Sequence, residues 1–389
     1  MTQPLPSELP DSTPVCPQTV PDYMPEAELP AASPSSLPET RPAPTPTRGV
    51  MLSRPAGSFM EDILAAAREE TVTLTQIARA GEVELSEDEL PICPIAPKEL
   101  PNGTLLHGYR VLRCIGGGGF GVTYLAQESL LNRTVVIKEN FPDSFCYREE
   151  GTLDVCLHNP ETGQDGFDWA LGNFLREVRL LATLDHPCIA KVYAYFEEHR
   201  TAYYVVEYIN GISLGKLASQ HADMGTPIPP SSLFGLMVRL LDALDYLHSQ
   251  KLLHRDIKPD NILVTRAGLP VIIDFGAARE AYGDLGSNIV ETPGFSPPEQ
   301  GSPDGNMGPW TDIYALGATL YYTLTGKCLP PSRQREIYDT ADPLSTNPTL
   351  LSIYGHTLLA SIDRAIAPKV ENRYQSVSEW MHDLAATHL

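Results

Sequence analysis

Three clusters in the chain of 389 residues bring together residue types that can do chemistry. The first is Gly116-Gly117-Gly118-Gly119-Phe120-Gly121-Val122-Thr123. Gly116, Gly118 and Gly121 satisfy the pattern GxGxxG, and glycines let backbone amides come close to phosphate oxygens. A dinucleotide-binding turn shares that pattern. The flanks differ, however: Tyr109–Ile115 and Thr123–Gln127 read as strands, so the glycines join strand to strand, whereas the dinucleotide turn opens a helix. The second cluster is Lys138, 17 residues beyond Gly121, at the end of the β-branched run Val135-Val136-Ile137. A lysine there is ordinarily a solvated edge residue; Glu177, in the helical segment Phe174–Leu184, is an acid suited to pair with it. The third cluster is His254-Arg255-Asp256-Ile257-Lys258-Pro259-Asp260-Asn261, followed after Val271-Ile272-Ile273 by Asp274-Phe275-Gly276.

Taken in order, these segments resemble the eukaryotic-type protein kinase family, over roughly Leu105 to Leu389. The resemblance implies an α+β, two-lobed fold. A small antiparallel β-sheet lobe with one regulatory helix would span about 105–206, and a larger, mostly α lobe about 207–389. The implied reaction is transfer of the γ-phosphoryl group of ATP to Ser/Thr hydroxyls of protein substrates, with autophosphorylation, using Mg²⁺ or alternatively Mn²⁺. Such transfer needs phosphates clamped, ions placed and the acceptor hydroxyl oriented in line. By resemblance, Ile115, Gly116, Gly117, Gly118, Gly119, Phe120, Gly121 and Thr123 cover the nucleotide, and Lys138, fixed by Glu177, neutralises the α and β phosphates. Asp274 would bind both divalent ions and Asn261 one of them, since carboxylate and amide oxygens suit a hard ion. Asp256 would orient the acceptor proton and Lys258 would offset charge on the moving phosphoryl group. A lysine at 258 resembles Ser/Thr-directed members. Adenine would meet the hinge Glu207-Tyr208-Ile209 beside the gatekeeper Val206, with Val122 and Ile137 either near it or simply core.

Further matches imply a protein substrate. Thr292-Pro293-Gly294-Phe295-Ser296-Pro297-Pro298-Glu299 resembles the substrate-docking region, with Pro297 in place of the usual alanine. In Trp310–Gly317, Asp312 would brace the catalytic loop, and Arg373 would pair with Glu299. The activation segment would run from Asp274 to Glu299. Within it Thr292 is expected to be structural and Ser287 to be the switch, where a phosphate could bond Arg255 and Arg279. Departures from the family pattern are few: Thr123 for valine, the extra glycines Gly117 and Gly119, and a spacing of 39 residues from Lys138 to Glu177. Much of that excess is Pro142–Trp169, a polar stretch expected to be a surface insertion beside the regulatory helix. The strings GGFGVTYLA and Val136–Pro142 look most like bacterial eukaryotic-like Ser/Thr kinases. The rival readings are a pseudokinase scaffold that binds nucleotide or partners without transfer, and a small-molecule kinase.

The elements that must position these residues are equally legible. Besides the strands above, Arg133–Lys138, Lys191–Tyr195 and Tyr203–Tyr208 read as strands. In Ser231–Gln250, Leu233, Leu236, Met237, Leu240, Leu241, Leu244 and Leu247 fall at three- and four-residue spacing, which predicts a buried-face helix. Ahead of this, residues 1–57 form a proline-rich tail: 13 of the 36 prolines lie in the first fifty positions, so the tail is expected to be disordered. Residues 58–104 read as an acidic linker with a short helix opened by a Ser58/Glu61 capping box. Lys plus Arg total 28 against 49 Asp plus Glu, a formal charge of −21, which argues against a nucleic-acid surface. No apolar run is long enough to span a bilayer, and no secretory signal is visible. Seven cysteines without a CxxC pair read as reduced thiols of a cytoplasmic protein. Oligomeric state is not indicated.

Overall fold

Buried residues alternate with more exposed ones along β2 (Tyr109–Gly117), β3 (Gly121–Glu128) and β4 (Arg133–Asn140), so each strand lays one face on a core. The short β1 (Leu105–Leu106) precedes them. The structure is a computed structural model that describes residues 98–149, 151–280, 291–302 and 305–385. After β4 come a hairpin of β5 (Cys146–Arg148) and β6 (Val155–Leu157), helix α1 (Gln164–Leu181), β7 (Val192–Glu198) and β8 (Thr201–Glu207). Six of these strands form one antiparallel sheet in the order β1-β2-β3-β4-β8-β7. The strands expected from the sequence are all present, shifted or extended at their ends by a residue or a few.

The larger lobe is helical. It contains β9 (Gly211–Ser213), α2 (Leu214–Asp223), α3 (Pro230–Ser249), β10 (Leu252–Leu253), β11 (Ile262–Thr265), β12 (Pro270–Ile272) and β13 (Arg279–Glu280). Helices α4 (Pro309–Thr325), α5 (Ser332–Ile337), α6 (Pro348–Tyr354), α7 (His356–Ala365) and α8 (Val377–Ala385) follow. Helix α3 starts at Pro230, whose missing N–H costs nothing in the first turn. Its predicted stripe is core: Leu233, Leu236, Met237, Leu240, Leu241, Leu244 and Leu247 are each at most 1% exposed. Burial of one such leucine is worth about 1.5–3 kcal/mol. Between β10 and β11, and again after β12, the chain carries the third sequence cluster, so two small sheets fix both ends of that segment.

Two expectations are corrected. Pro142–Trp169 is exposed over much of its length, as expected, but it is not a plain surface stretch: β5 and β6 pair within it, and its C-terminal part opens α1 ten residues ahead of the predicted start at Phe174. Its apolar side chains Cys146, Val155 and Phe167 join the core against Val122, Tyr124, Val135, Ile137 and Val205 on one face of the sheet. Polar composition hid these few contacts. Packing also begins before Leu105, because Leu100 is 2% exposed and its amide donates to the Tyr124 hydroxyl at 3.1 Å. The proline-rich tail, the Ser58/Glu61 helix and Ser287 lie outside the described residues. Among the described residues no helix is long and apolar enough to cross a membrane.

The hairpin is locked onto the sheet by a buried charge. Glu139 accepts from Arg148 Nη2 at 2.6 Å, from the Tyr124 hydroxyl at 2.7 Å and from the Tyr203 hydroxyl at 2.7 Å. Burial, reinforced by Glu139, pushes both phenols well up, so they remain protonated donors. Removing one partner of such a pair strands the other charge. Arg148→Met should therefore cost about 3–5 kcal/mol in urea unfolding, and adding Glu139→Gln should recover part of that loss. A loss below about 1 kcal/mol would show the pair to be dispensable.

Candidate active site

Strand alternation brings the first two clusters together. Lys138 pairs across the sheet with Thr123 on one side and Tyr204 on the other, and Val136 with Val206, so these five residues share one face. Helix α1 brings Glu177 to that face, and Lys138 Nζ meets Glu177 Oε1 at 3.3 Å. On its other side it meets Asp274 Oδ1 at 2.9 Å, although Asp274 lies 136 residues away in the larger lobe. The Tyr204 hydroxyl donates to Glu177 Oε1 at 2.6 Å and steadies the carboxylate. Burial disfavours the Lys138 ammonium, but Glu177, Tyr204 and Asp274 outweigh that and hold its pKa well above the ordinary value. The Lys138 ammonium in turn lowers the Asp274 carboxyl to about 2, against the opposing effect of burial.

The third cluster is centred on Asp256. Lys258 Nζ donates to Asp256 Oδ2 at 2.7 Å, and Asn261 Nδ2 donates to the same oxygen at 2.8 Å and to the Asp256 carbonyl at 2.9 Å. The Thr292 hydroxyl donates to the other oxygen, Oδ1, at 2.7 Å. Both carboxylate oxygens are thus aimed by neighbours. Behind them Asp312 is fully buried and accepts from the amides of His254 at 2.9 Å and Arg255 at 2.8 Å, and from His248 Nε2 at 2.9 Å. Burial alone would raise the Asp312 carboxyl; the bond to His248, the nearby His254 and the Arg255 amide hold it below the ordinary value. Arg255 and Asp274 adopt φ of 67° and 65°, left-handed geometry that costs a non-glycine residue about 1–3 kcal/mol. The hydrogen bond that the Arg255 amide donates to Asp312 holds the first. The second directs Asp274 towards Lys138 while Phe275 stays buried, its ring 4.6 Å from that of His254.

The remaining predicted residues fall around this centre. Gly116 and Gly117 end β2, Gly121 starts β3, and Gly118, Gly119 and Phe120 make the tight turn between them, closed by Gly118 N donating to Gly121 O at 3.0 Å. A Cβ on Gly121 would lie 2.5 Å from the Glu139 carbonyl, so this position requires glycine. Ile115 and Phe120 are exposed beside the loop. Glu207 ends β8 and its amide donates to the Lys191 carbonyl at 2.8 Å; Tyr208 is exposed in the connection to β9. Glu299 and Arg373 meet at 2.7 Å in a buried pair. Val122 and Ile137 do not reach the site. They point to the opposite, core face, and Val136, two residues before Lys138, is the strand residue that shares the face of Lys138. Period-two alternation carries that signal. Tyr204 was missed as well, because a tyrosine inside an apolar strand reads as core until its cross-strand neighbour is known.

The residues present fit a divalent ion. Asp274 is a half-exposed, ionised carboxylate, and Asn261 spends its amide nitrogen on Asp256, which leaves its oxygen as the ligating atom. Two such oxygens, with the rest supplied by phosphates and water, are typical of Mg²⁺ held at a nucleotide.

Comparison with known proteins agrees with this geometry. The model of the protein kinase domain matches residues 109–385. The chain is 34% identical over 298 residues to serine/threonine-protein kinase PknA of a Nostoc species, covering 71% of this chain and 46% of that protein. It is 32% identical over 295 residues to serine/threonine-protein kinase C of a Synechocystis species, covering 72% and 49%. The chain thus spans about half the length of these curated relatives. Among solved structures, the PpkA-294 apo form is 37% identical with a TM-score of 0.65, over 74% of this chain and 99% of that one. A double-mutant form of the kinase domain of Mycobacterium tuberculosis PknI, 23% identical with a TM-score of 0.51 over 74% of this chain and 98% of that one, shares the fold. With the domain model spanning both lobes and every motif in its place, the chain belongs to the protein kinase family.

Proposed function

We propose that the protein transfers the γ-phosphoryl group of ATP to serine or threonine hydroxyls of protein substrates, and to itself. The observation that carries this is the joining of Lys138, Glu177 and Asp274 across the two lobes, beside an Asp256 whose two oxygens are both oriented. The glycine-rich turn covers the phosphates, and Lys138 holds the α and β groups. Asp274 and Asn261 are the residues that would hold Mg²⁺, which would neutralise charge on the phosphates. Asp256 accepts or orients the acceptor proton, Lys258 offsets charge on the moving group, and Thr292 keeps Asp256 aimed. Glu207 and Tyr208 bond the base through their backbone. A scaffold without transfer is the weaker reading, because Lys138, Asp256, Asn261 and Asp274 are all retained. The domain organisation follows: a tail over 1–57, a linker from 58, and the catalytic lobes beyond it, whose packing already includes Lys98 and Leu100. A cytoplasmic location fits buried thiols such as Cys146 and Cys188, whose pKa burial raises to about 12.

Incubation with labelled Mg-ATP and a generic protein acceptor tests the reading, with phosphoserine and phosphothreonine as the expected products. Asp256→Asn should lower transfer at least about a hundredfold with the melting temperature near that of the parent. Lys138→Met should lower transfer as far while also lowering the melting temperature, because it leaves Glu177 and Asp274 without their shared cation. Wild-type rates in either variant, or phosphotyrosine as the sole product, would overturn the assignment.

The ion pair between lobes also predicts a pH response. The folded-state pKa of Asp274 lies below the ordinary carboxylate value of ~3.9, so its contribution to stability is complete above that value and lost as the pH falls through about 2. Carboxyl NMR of the wild type should show no Asp274 titration above about pH 3, whereas Lys138→Met should move its midpoint up to ~4 or higher. An unchanged midpoint would mean that Lys138 does not set the charge of Asp274.

A further inference from the structure

The chain beyond Lys138 runs on beside the glycine-rich turn. Phe141 N donates to Phe120 O at 3.1 Å, and Asp143 N donates to Gly119 O at 3.1 Å. The next carbonyl, Gly118 O, accepts from Lys98 Nζ at 3.4 Å, and the same ammonium meets Asp143 Oδ2 at 3.3 Å. Three consecutive carbonyls of the turn are therefore held from outside it. All three bonds use carbonyls, so none consumes an amide that a phosphate needs.

Lys98 is itself anchored. Its carbonyl accepts from Arg148 Nε and Nη2, both at 3.1 Å, and Arg148 rests on Glu139, the neighbour of Lys138 in β4. Two residues on, the Leu100 amide donates to the Tyr124 hydroxyl, which donates to Glu139. From the other side, the Phe120 ring lies 6.2 Å from the ring of Trp169, on the helix that carries Glu177. Lys98 is also the sole Lys or Arg between Arg79 and Arg110. The hairpin of β5 and β6 and the segment entering the sheet lobe thus converge on one loop.

We propose that Lys98 and Asp143 are positioning residues for the glycine-rich loop, a clamp that holds it in a nucleotide-ready form before ATP arrives. This rests on the reading of that loop as the phosphate-binding element. Five of the six residues Gly116–Gly121 are glycine, so ordering the loop costs unusually much conformational entropy. A clamp formed in the free protein removes that cost from the binding step. Both side chains are partly exposed, at 29% and 41%, so replacing them should leave the core intact.

The test compares full-length wild type with Lys98→Met, Asp143→Asn, the double variant and Lys98→Arg. Hydrogen exchange of nucleotide-free protein should quicken over residues 116–121 in the first three and stay at the wild-type rate in Lys98→Arg. In kinetics, KM for ATP should rise roughly fivefold in Lys98→Met, the scale expected of one partly exposed charge pair. The kcat should stay within about twofold and KM for the acceptor should not move, as a loss of ground-state ordering requires. The double variant should be close to the worse of the two single variants and well short of the product of their effects, because both residues serve one clamp. Unchanged exchange in the double variant would overturn the proposal, as would a fall in kcat with no change in KM for ATP. Since exchange is read without nucleotide, a wild type that transfers no phosphate would count against the phosphotransfer reading alone, and exchange would still decide the clamp.

Discussion

The interaction on which the rest depends is the Lys138 ammonium held between two carboxylates from different lobes. Glu177 comes from α1, 39 residues on, and Asp274 from the segment after β12, 136 residues on. An isolated ammonium or carboxylate taken out of water is costly, and a partner supplied from another element offsets that cost only when the element is correctly docked. The three charges therefore report on three placements at once: the sheet, the helix and the catalytic segment. Their mutual effect is visible in opposite pKa displacements, with the lysine well up and Asp274 down to about 2.

The larger lobe supplies rigidity for the other half of the chemistry. Asp312 sits at zero exposure on α4 and turns the amides of His254 and Arg255 towards itself. A left-handed Arg255 is tolerated because that bond holds it. The result is an Asp256 whose oxygens are fixed by Lys258, Asn261 and Thr292 rather than by solvent. Catalysis of this kind is positioning and electrostatic preorganisation more than covalent chemistry, and a polar network built on buried helices is suited to it.

Contiguous features were legible in the amino-acid sequence; features made by distant contacts were not. His254–Asn261 and Asp274–Gly276 state their chemistry in a few adjacent residues, and the leucine stripe of α3 declares its buried face by spacing alone. Lys138 and Glu177 can be matched from the sequence only as a strand lysine and an acid on the next helix, 39 residues apart with no local pattern to join them. Tyr204 needed the β4/β8 register before its hydroxyl had a partner, and Val136 was overlooked beside Ile137 although alternation assigns it to the face of Lys138. The hairpin within Pro142–Trp169 was the largest miss. Its composition is that of a loop, and its burial depends on a handful of side chains and on Arg148 finding Glu139. Lys98 looked like one residue of an acidic linker because its contact with Gly118 spans 20 residues.

In the proposed reaction Lys138 and Glu177 work as one unit in phosphoryl transfer. A double-mutant cycle on kcat/KM, using Lys138→Met, Glu177→Gln and their combination, measures that unity directly. The predicted result is a double variant no slower than Lys138→Met alone, because Glu177 acts through the lysine. Losses that multiply would show the two residues to act independently and would contradict the account.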